Sequence, residues 1–293
     1  MEIRQYTDQD INKLYKYWQQ IGERVPYFFN VSRDKWHQAL VEDKLDGQPL
    51  FKDIQTYLAL ENEQVVGFVQ FGQPNFYWDD NGKKFYDPDV GVIRHLFYDK
   101  NNPEVGETLL NKAIIYLNNF KYKDAFFHIF GMSCNAHHGK LYNEHLYIEE
   151  LLTKYGFKKD HENIYYTLDL DEVQGPAETD IEIRSEMMED VQKEIFSLYH
   201  QDERIGSAEI RYLERLTGGL TQNTAYLTWI VMAELARGKG FGSKFINLLA
   251  QNLKEKGFKS LHADTADDNH FAQQFYNKNN FKEDGYSRSY AVE

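Results

Sequence analysis

A short internal repeat constrains this chain more than any other feature. Residues 2–4 and 182–184 both read Glu-Ile-Arg, and an acidic, polar segment follows each triplet. Residues 57–71 and 195–210 then both read as strand, polar turn and strand, which is the pattern of a β-hairpin. We therefore expect two copies of one fold. A chain of 293 residues is long enough for two domains.

The spacing of matched residues shows where the two copies differ. Arg4 and Gly67 are 63 residues apart, whereas Arg184 and Gly206 are only 22 apart. The second copy thus lacks about 40 residues between its first two strands. In the first copy this stretch is predicted to be helical, with apolar residues at helical spacing behind a capping box of Thr7 and Asp10. The apolar positions are Ile11, Leu14, Tyr15 and Trp18.

The predicted boundary between the copies lies in residues 173–180, where Gly175 and Pro176 interrupt regular structure among small and acidic neighbours. We assign residues 1–172 to the first domain and residues 177–293 to the second.

Composition narrows the possible partners. The chain has 33 basic and 46 acidic residues, a net charge of −13, and no long basic run, which argues against binding nucleic acid. An amine-bearing, cationic small molecule or peptide suits this charge better. No apolar run reaches the roughly 20 residues of a membrane span, the first residues do not resemble a signal peptide, and the single Cys134 allows no internal disulfide. We expect a cytoplasmic protein without membrane contact.

A glycine-rich turn is the strongest local signal for chemistry. It spans Arg237-Gly238-Lys239-Gly240-Phe241-Gly242-Ser243, after an apolar strand and before an amphipathic helix. Such a turn presents backbone N–H groups and a helix N-terminus, and its glycines allow a phosphate to approach closely. The spacing fits neither a dinucleotide fingerprint nor a P-loop. A glycine-rich turn without a ligand remains an alternative at this point.

A second block follows downstream, at residues 269–281, where Asn269, Ala272, Tyr276 and Phe281 are spaced as N-x-x-A-x-x-x-Y-x-x-x-x-F. The two blocks together resemble the Q/R-x-x-G-x-G/A signature and the next motif of the GNAT superfamily of acyl-CoA-dependent N-acetyltransferases. Asn280 replaces the family's glycine at a helix end, and Asn is the residue next most tolerant of the left-handed conformation needed there. Close resemblance covers roughly the last 70 residues.

This resemblance implies an α/β (α+β) fold of two fused GNAT-like domains, each a mixed, mostly antiparallel twisted sheet flanked by helices. It also implies that acetyl-CoA is the co-substrate, with main-chain contacts from the strand end and the pyrophosphate held by the turn. Met232 and Glu234 stand where the family has valine and often proline, and we expect a bulge to displace Val231 by one residue. The implied coenzyme-binding residues are Val231, Met232, Arg237, Gly238, Lys239, Gly240, Phe241, Gly242, Ser243 and Asn269.

The first copy has lost the features that the second retains. Its turn has Asn101 in place of the arginine, Glu104 in place of a glycine, and Pro103, which lacks an N–H group. Leu152 stands where the second copy has Tyr276. We therefore expect the first domain to be a degenerate, structural copy without coenzyme. In GNAT enzymes the region between the first two strands commonly walls the acceptor pocket, so the resemblance also implies that the first domain forms part of the wall of the second domain's acceptor site.

The family resemblance indicates Tyr276 as the general acid that protonates the leaving thiolate, while Phe271 and Phe275 are expected to be core residues. Glu234 is the preferred general base, with His262 and Asp264 as rivals. Asp267 and Asp268 are expected to cap the following helix. The adjacent His137 and His138 lack further ligands at recurrent spacing, so no metal site is expected.

The sequence therefore predicts an acyltransferase that acetylates a primary amine by direct attack in a ternary complex. A non-catalytic, coenzyme-A-binding regulatory module is the alternative, and a protein-interaction scaffold is a third reading. The intact arginine and glycines of the turn argue against the scaffold.

Overall fold

The computed structural model describes residues 1–22, 25, 32–45, 47–78, 83–127, 139–173, 180–188, 193–212 and 223–292. The chain divides into two compact units. The first contains Met1–Glu162 together with Ser287–Glu293, and the second contains Asn163–Tyr286. This division differs from the predicted boundary in two ways. The first unit ends at Glu162, before the predicted boundary, and the last residues of the chain, Ser287–Glu293, also belong to the first unit.

The first unit is built on a mixed sheet in the order β1-β4-β5-β8-β9, followed by the end of β17, which also pairs with β10. Only β8 and β9 are parallel. Its strands are β1 (Glu2–Gln5), β2 (Lys44–Leu45), β3 (Gln48–Pro49), β4 (Phe51–Glu61), β5 (Gln64–Pro74), β6 (Tyr77–Trp78), β7 (Lys84–Phe85), β8 (Val90–Tyr98), β9 (Tyr122–Ala125) and β10 (Leu141–Tyr142). Its helices are α1 (Ile11–Gly22), α2 (Arg33–Val41), α3 (Pro103–Leu117) and α4 (Tyr147–Lys154).

Two strands pass from one unit to the other along the chain, β11 (Lys158–Asp169) and β17 (Lys282–Val292). The second unit has the order β11-β16-β15-β14-β13-β12, in which only β15 and β16 are parallel. Its other strands are β12 (Ile181–Met188), β13 (Lys193–His200), β14 (Glu203–Tyr212), β15 (Thr224–Met232) and β16 (Ser260–Ala266). Its helices are α5 (Phe241–Glu255) and α6 (His270–Lys278). Both units therefore have the predicted class, a mixed and mostly antiparallel sheet with helices.

The two copies of the repeat also share the pairing register of their first strands. Glu2, Ile3 and Arg4 pair with Leu60, Ala59 and Leu58, and the second triplet pairs in the same way with Tyr199, Leu198 and Ser197. Both predicted hairpins are present, and each turns through two residues of positive φ, the arrangement that matches the twist of paired strands. The turn residues are Asn62, Glu63, Gln201 and Asp202, with φ of 48°, 63°, 50° and 65°.

The units also share two irregularities of the next strand. The pairing of β5 with β8 shifts at Arg94, and the pairing of β14 with β15 shifts at Thr228, the equivalent position four residues before the strand end. The parallel pair β8–β9 stops after Ile93 and Ala125, just as β15–β16 stops after Leu227 and Ala263. Each unit thus has two parallel strands that separate beyond four residue pairs.

The helical layer between the first two long strands belongs to the first unit. Residues 6–50 separate β1 from β4 and contain α1 and α2, whereas residues 189–192 are all that separate β12 from β13. The Asp10 carboxylate accepts a hydrogen bond from the Thr7 N–H at 3.0 Å, as the predicted capping box requires. Trp18 is buried, and its ring contacts those of Trp36 and His95 at 5.8 Å and 5.3 Å between centroids.

Within the described ranges, none of the helices has the length and apolar character needed to cross a bilayer.

The hydrophobic core of the second unit lies between one face of its sheet and both helices, and we call this side the helix face. Leu227 and Ala263 lie on the helix face with α5 residues such as Phe245 and Leu249. Tyr226 and His262, which are register partners, alternate with them onto the opposite face. The two faces are therefore chemically distinct, with an apolar packed side and a side that carries polar groups.

Residues 163–169 of β11 pair with β16, and Tyr166 and Leu168 are buried in the core of the second unit. A segment consisting of residues 177–293 lacks this strand, so we expect it to aggregate or to unfold without a cooperative transition. A segment of residues 158–293, which keeps β11, is the matched comparison and should be more soluble. Equal solubility and equal thermal midpoints for the two segments would contradict the assignment of β11 to the second core.

Candidate active site

The glycine-rich turn lies between β15 and α5, after a 3-10 turn at Glu234–Ala236. Gly238 and Gly240 have φ of 73° and 83°, and Gly240 is the N-cap residue of α5. A Cβ atom built at either glycine would meet no atom within 4 Å. These glycines are therefore required by the backbone conformation, and the space in front of them is open.

The backbone N–H groups of residues 238–243 point to an anion site. In the part of the chain that the structure describes, no acceptor is in hydrogen-bonding geometry with any of them. The first helical amide to be satisfied is that of Lys244, which donates to the Gly240 carbonyl at 3.2 Å. Unpaired amides at a helix N-terminus combine with the helix dipole to favour negative charge, most of all a phosphate.

Arg237 has a structural contact in addition to its charge. Its Nε donates a hydrogen bond to the carbonyl oxygen of Met232, the last residue of β15, at 3.0 Å. The side chain thereby ties the start of the turn to the end of the strand, and its position is exposed, as is that of Lys239. Both cations are thus held close to the open amides.

The separation of β15 from β16 creates a wedge next to this turn. Beyond Leu227 and Ala263 the two strands no longer pair, although β15 continues to Met232 and β16 to Ala266. Val231 is exposed on the opposite face, while Met232 packs on the helix face below Gly206. The predicted bulge is present in β15, but it lies at Thr228 and not beside Val231.

Tyr276 lies on α6 on the helix face, with 5% of its surface exposed. The rings of Tyr166, Phe275 and Phe281 surround it at centroid distances of 5.2, 5.7 and 5.1 Å. Burial raises its pKa well above the usual value of a tyrosine, and the charge of Asp264 adds to this effect. The hydroxyl therefore keeps its proton at neutral pH and can donate it.

The three candidates for the general base have different surroundings. Glu234 is exposed in the 3-10 turn after β15. His262 is 7% exposed, and its Nδ1 and Nε2 lie 3.0 Å from the hydroxyls of Thr167 and Ser260. Burial lowers the pKa of His262 to about 4, so the ring is neutral, but both nitrogens are engaged in hydrogen bonds.

The third candidate, Asp264, has the most specific environment. One of its carboxylate oxygens accepts a hydrogen bond from the Tyr226 hydroxyl, and the other accepts from the Asn163 side-chain amide. Sequence reasoning identified Asp264 only by its alternation with His262. Tyr226 and Asn163 carried no signal, because they are distant in sequence and meet Asp264 only through the pairing of three strands.

The N-terminus of α6 corrects two predictions. Asn269 is the N-cap residue, and its side-chain oxygen accepts a hydrogen bond from the Ala272 N–H at 3.1 Å. The predicted caps Asp267 and Asp268 are therefore wrong, since the cap falls one residue later. Phe271 is 88% exposed and is not a core residue, because it lies in the first turn of α6 on the side away from the sheet.

The predicted left-handed helix end is confirmed at Asn280, whose φ is 65°. The first unit has Gly156 at this place, with φ of 87°. The next N–H in each unit, that of Phe157 or Phe281, donates back to the carbonyl of the residue five positions earlier, Leu152 or Tyr276. Leu152, which is fully buried, is thus the structural equivalent of Tyr276.

The corresponding turn of the first unit is closed by its own side chains. The Asn101 N–H donates to the Asp99 carboxylate at 2.8 Å, and Pro103 begins α3 without an N–H group. At the end of β8, the Tyr147 hydroxyl donates to the Tyr98 carbonyl at 2.6 Å. The bonded Asn101 amide and the missing amide of Pro103 reduce the number of donors that this turn could offer to an anion.

The rings beside the end of β8 occupy the space where β8 and β9 separate. The ring of Phe97 contacts those of Phe126 and His145 at centroid distances of 5.9 Å and 5.4 Å. Phe126 directly follows β9, and His145 lies just ahead of α4. Aromatic side chains therefore fill the space beside the end of β8 in the first unit.

Among the described residues, no group of three or more His, Cys, Asp and Glu side chains is arranged to hold a metal ion. His137 and His138 of the sequence lie outside the described residues.

Comparison with known proteins agrees with this geometry. Residues 156–281 match the model of the acetyltransferase (GNAT) family. The fold is similar to that of a tandem GNAT protein from the clavulanic acid biosynthesis pathway, at 11% identity and a TM-score of 0.66, with 99% of this chain and 98% of that chain covered. The curated proteins gave no match.

Two further solved structures share the fold. One is a GCN5-related glucosamine N-acetyltransferase region of a fungal multi-domain GH3 β-N-acetylglucosaminidase, at 15% identity and a TM-score of 0.65, with 99% of this chain covered. This chain spans only 38% of that protein. The other is a GNAT-family acetyltransferase from Colwellia psychrerythraea, at 12% identity and a TM-score of 0.56, with 99% of both chains covered.

The second unit, with its amide-lined turn and separating strands, is an acyltransferase domain. Residues 156–281 match the GNAT family model, and the fold of the whole chain is that of a tandem GNAT protein.

The environment of His262 has a consequence for stability. The folded chain keeps this imidazole neutral down to about pH 4, whereas an unperturbed histidine takes up a proton near pH 6.5. Acid therefore favours the unfolded chain over this interval, by about 1.4 kcal/mol per pH unit for one residue. We expect urea denaturation to show a weaker fall in stability between pH 6.5 and 4.5 for His262→Gln than for the wild type. Equal pH dependence in both proteins would contradict the buried, neutral state.

Proposed function

We propose that the protein transfers the acetyl group of acetyl-CoA to a primary amine by direct attack within a ternary complex. The observation that carries this proposal is the row of unsatisfied N–H groups at residues 238–243, beside two strands that separate. The donor set fits the coenzyme, because backbone amides at a helix N-terminus bind phosphate oxygens and the cations Arg237 and Lys239 add attraction. Bound there, acetyl-CoA would supply the activated acyl group.

Three elements of the second unit would bind acetyl-CoA: the turn after β15, the end of β15 and the start of α6. The turn 237–243 holds the pyrophosphate, and the end of β15 at Val231 and Met232 offers main-chain groups to the pantetheine arm and the acyl carbonyl. Main-chain donors that are already oriented stabilise the charge that develops on that oxygen. Asn269 fixes the start of α6 as its cap, so its contribution to coenzyme binding would come through the position of that helix.

The chemistry requires one proton to reach sulfur and one to leave nitrogen. As the bond from the amine nitrogen to the acyl carbon forms, the bond from that carbon to sulfur breaks. Tyr276, a phenol whose pKa is raised by burial, donates its proton to the departing sulfur. Glu234 is the base suggested by the sequence, and its exposed position allows it to reach the proton through water.

The acceptor is proposed to be a cationic small molecule or peptide that bears a primary amine, in keeping with the net charge of −13. The test is a screen of amines with acetyl-CoA that measures released thiol. Glucosamine should be included, because the fungal protein of similar fold is described as a glucosamine N-acetyltransferase. Binding of acetyl-CoA without turnover on any amine would favour the alternative, a regulatory module.

The open turn of the second unit leads to a prediction about the number of acetyl-CoA molecules bound and about two glycine variants. Calorimetry should show one acetyl-CoA per chain, because the turn of the first unit has Asn101, Pro103 and Glu104 where the second has its arginine and a glycine. Gly240→Glu, alone or with Arg237→Ala, should abolish binding, since a carboxylate would face the phosphates.

Gly257→Glu is the matched control for this contrast. Gly257 also has positive φ, 92°, and open space, but it lies at the other end of α5, so it carries the same backbone cost of about 1 kcal/mol. Two binding sites per chain, or equal loss of binding in both glycine variants, would argue against the proposed site.

Tyr276→Phe should lower kcat by about 10²–10⁴-fold with little change in acetyl-CoA affinity, because the ring remains and only the proton donor is lost. Tyr212→Phe is a matched buried control, since Tyr212 donates to Glu194 in the same hydrophobic core, away from the wedge. It should lower stability while leaving kcat near the wild-type value. A wild-type kcat for Tyr276→Phe, measured where chemistry limits the rate, would reduce Tyr276 to a packing residue.

A further inference from the structure

Asp264 is the first residue of β16 beyond the last pair with β15, Leu227 and Ala263. It therefore stands where the two strands begin to separate. Ala263 belongs to the core on the helix face, so the alternation of the strand directs Asp264 to the opposite face. The contact with Tyr226, which lies on that face, agrees with this direction.

The carboxylate is held in one orientation by donors from two neighbouring strands. Tyr226 of β15 donates to Oδ1, and Asn163 of β11 donates to Oδ2. Donors on both oxygens restrict the rotation of the carboxylate, so its orientation is set by the protein. These two donors are uncharged side chains.

Asp264 and Tyr276 approach the wedge from different sides. Tyr276 belongs to the core on the helix face, yet the charge of Asp264 contributes to holding its proton in place, so the two groups are electrostatically coupled. Transfer of an acyl group from sulfur to nitrogen needs an acid at the leaving sulfur and a base at the entering nitrogen. Groups on opposite faces of the sheet meet this requirement without neutralising each other.

His262 and Glu234, the other two candidates for the general base, are less suited to accept a proton from the entering nitrogen. His262 is buried with both ring nitrogens in hydrogen bonds to hydroxyl groups. Glu234 lies in the turn after β15, within the segment that leads to the proposed phosphate site, and is exposed. Asp264 is the candidate whose orientation is fixed by other side chains before any substrate arrives.

The geometry points to Asp264 as the residue that binds the ammonium group of the acceptor and takes its proton, with Tyr226 and Asn163 as positioning residues. This inference rests on the proposed function, but it assigns the base on the acceptor side of the same site to Asp264 in place of Glu234. The carboxylate first takes one proton from the bound ammonium group and releases it to solvent, which leaves a neutral amine. As the amine nitrogen forms its bond to the acyl carbon it loses a second proton to the carboxylate, and the carbon–sulfur bond breaks as Tyr276 protonates the sulfur. The carboxylic acid then returns its proton to solvent, and Tyr276 regains one from solvent.

The assignment can be tested without knowing the natural acceptor. The probe is S-(2-aminoethyl)-coenzyme A, a stable thioether whose ammonium group lies close to the position of an entering amine, and the neutral control is S-propyl-coenzyme A. Calorimetry at pH 7 should show about tenfold tighter binding of the ammonium compound to the wild type, which is the effect of one charge-assisted hydrogen bond. Asp264→Asn should remove this preference while keeping the affinity for S-propyl-coenzyme A.

Glu234→Gln is the matched variant, and it should keep the preference for the ammonium compound. Tyr226→Phe, a smaller change that leaves the carboxylate in place, should weaken the preference partly and serves if Asp264→Asn does not fold. Equal binding of the two thioethers by the wild type overturns the inference but leaves the proposed function standing. A preference that survives in Asp264→Asn, or that disappears in Glu234→Gln, also overturns it. If neither thioether binds, the proposed function itself fails.

Discussion

The separation of two parallel strands after four residue pairs is the constraint on which the candidate site depends. Paired strands satisfy each other's N–H and C=O groups, so no ligand can reach the backbone between them. Beyond Leu227 and Ala263 this pairing ends, and the end of β15 is available on one side while β14 supports it on the other. The shift of pairing at Thr228 lies at the start of this separation. The glycine-rich turn follows directly, so open strand and open helix N-terminus form one continuous backbone surface.

The two units show how one backbone plan can either present or close such a surface. The first unit has the same hairpin turn, the same shifts of register and the same parting of its parallel strands. There, however, the Tyr147 hydroxyl satisfies the Tyr98 carbonyl, Pro103 removes an amide, and aromatic rings pack beside Phe97. Buried polar groups need partners, and at the end of β8 a side chain of the first unit supplies one.

Charge at the second site is arranged across the sheet. Cations Arg237 and Lys239 accompany the amides at the turn, a neutral phenol lies on the helix face, and a carboxylate held by Tyr226 and Asn163 lies on the other. In the proposed function, a phosphate-bearing donor and a cationic acceptor would meet opposite potentials at opposite ends of this wedge. The sheet would then separate the proposed acid from the proposed base, so that each could keep the protonation state its role requires.

Features that depend on local chemistry were predictable from the sequence alone. The polar breaks in the hairpins, the positive φ at Gly238, Gly240 and Asn280, and the helix after the glycine turn follow from conformational preferences within a few residues. The repeat added the two-copy architecture, and its triplets proved to occupy equivalent registers. Tertiary structure alone decided the division of the chain at β11, the return of residues 287–293 to the first unit, the exposure of Phe271 and the meeting of Asn163 and Tyr226 at Asp264. The contacts of Asp264 join residues that are 38 and 101 positions apart in the chain. Strand pairing at that range is set by the burial of whole sheet faces, and no short pattern of residues signals it.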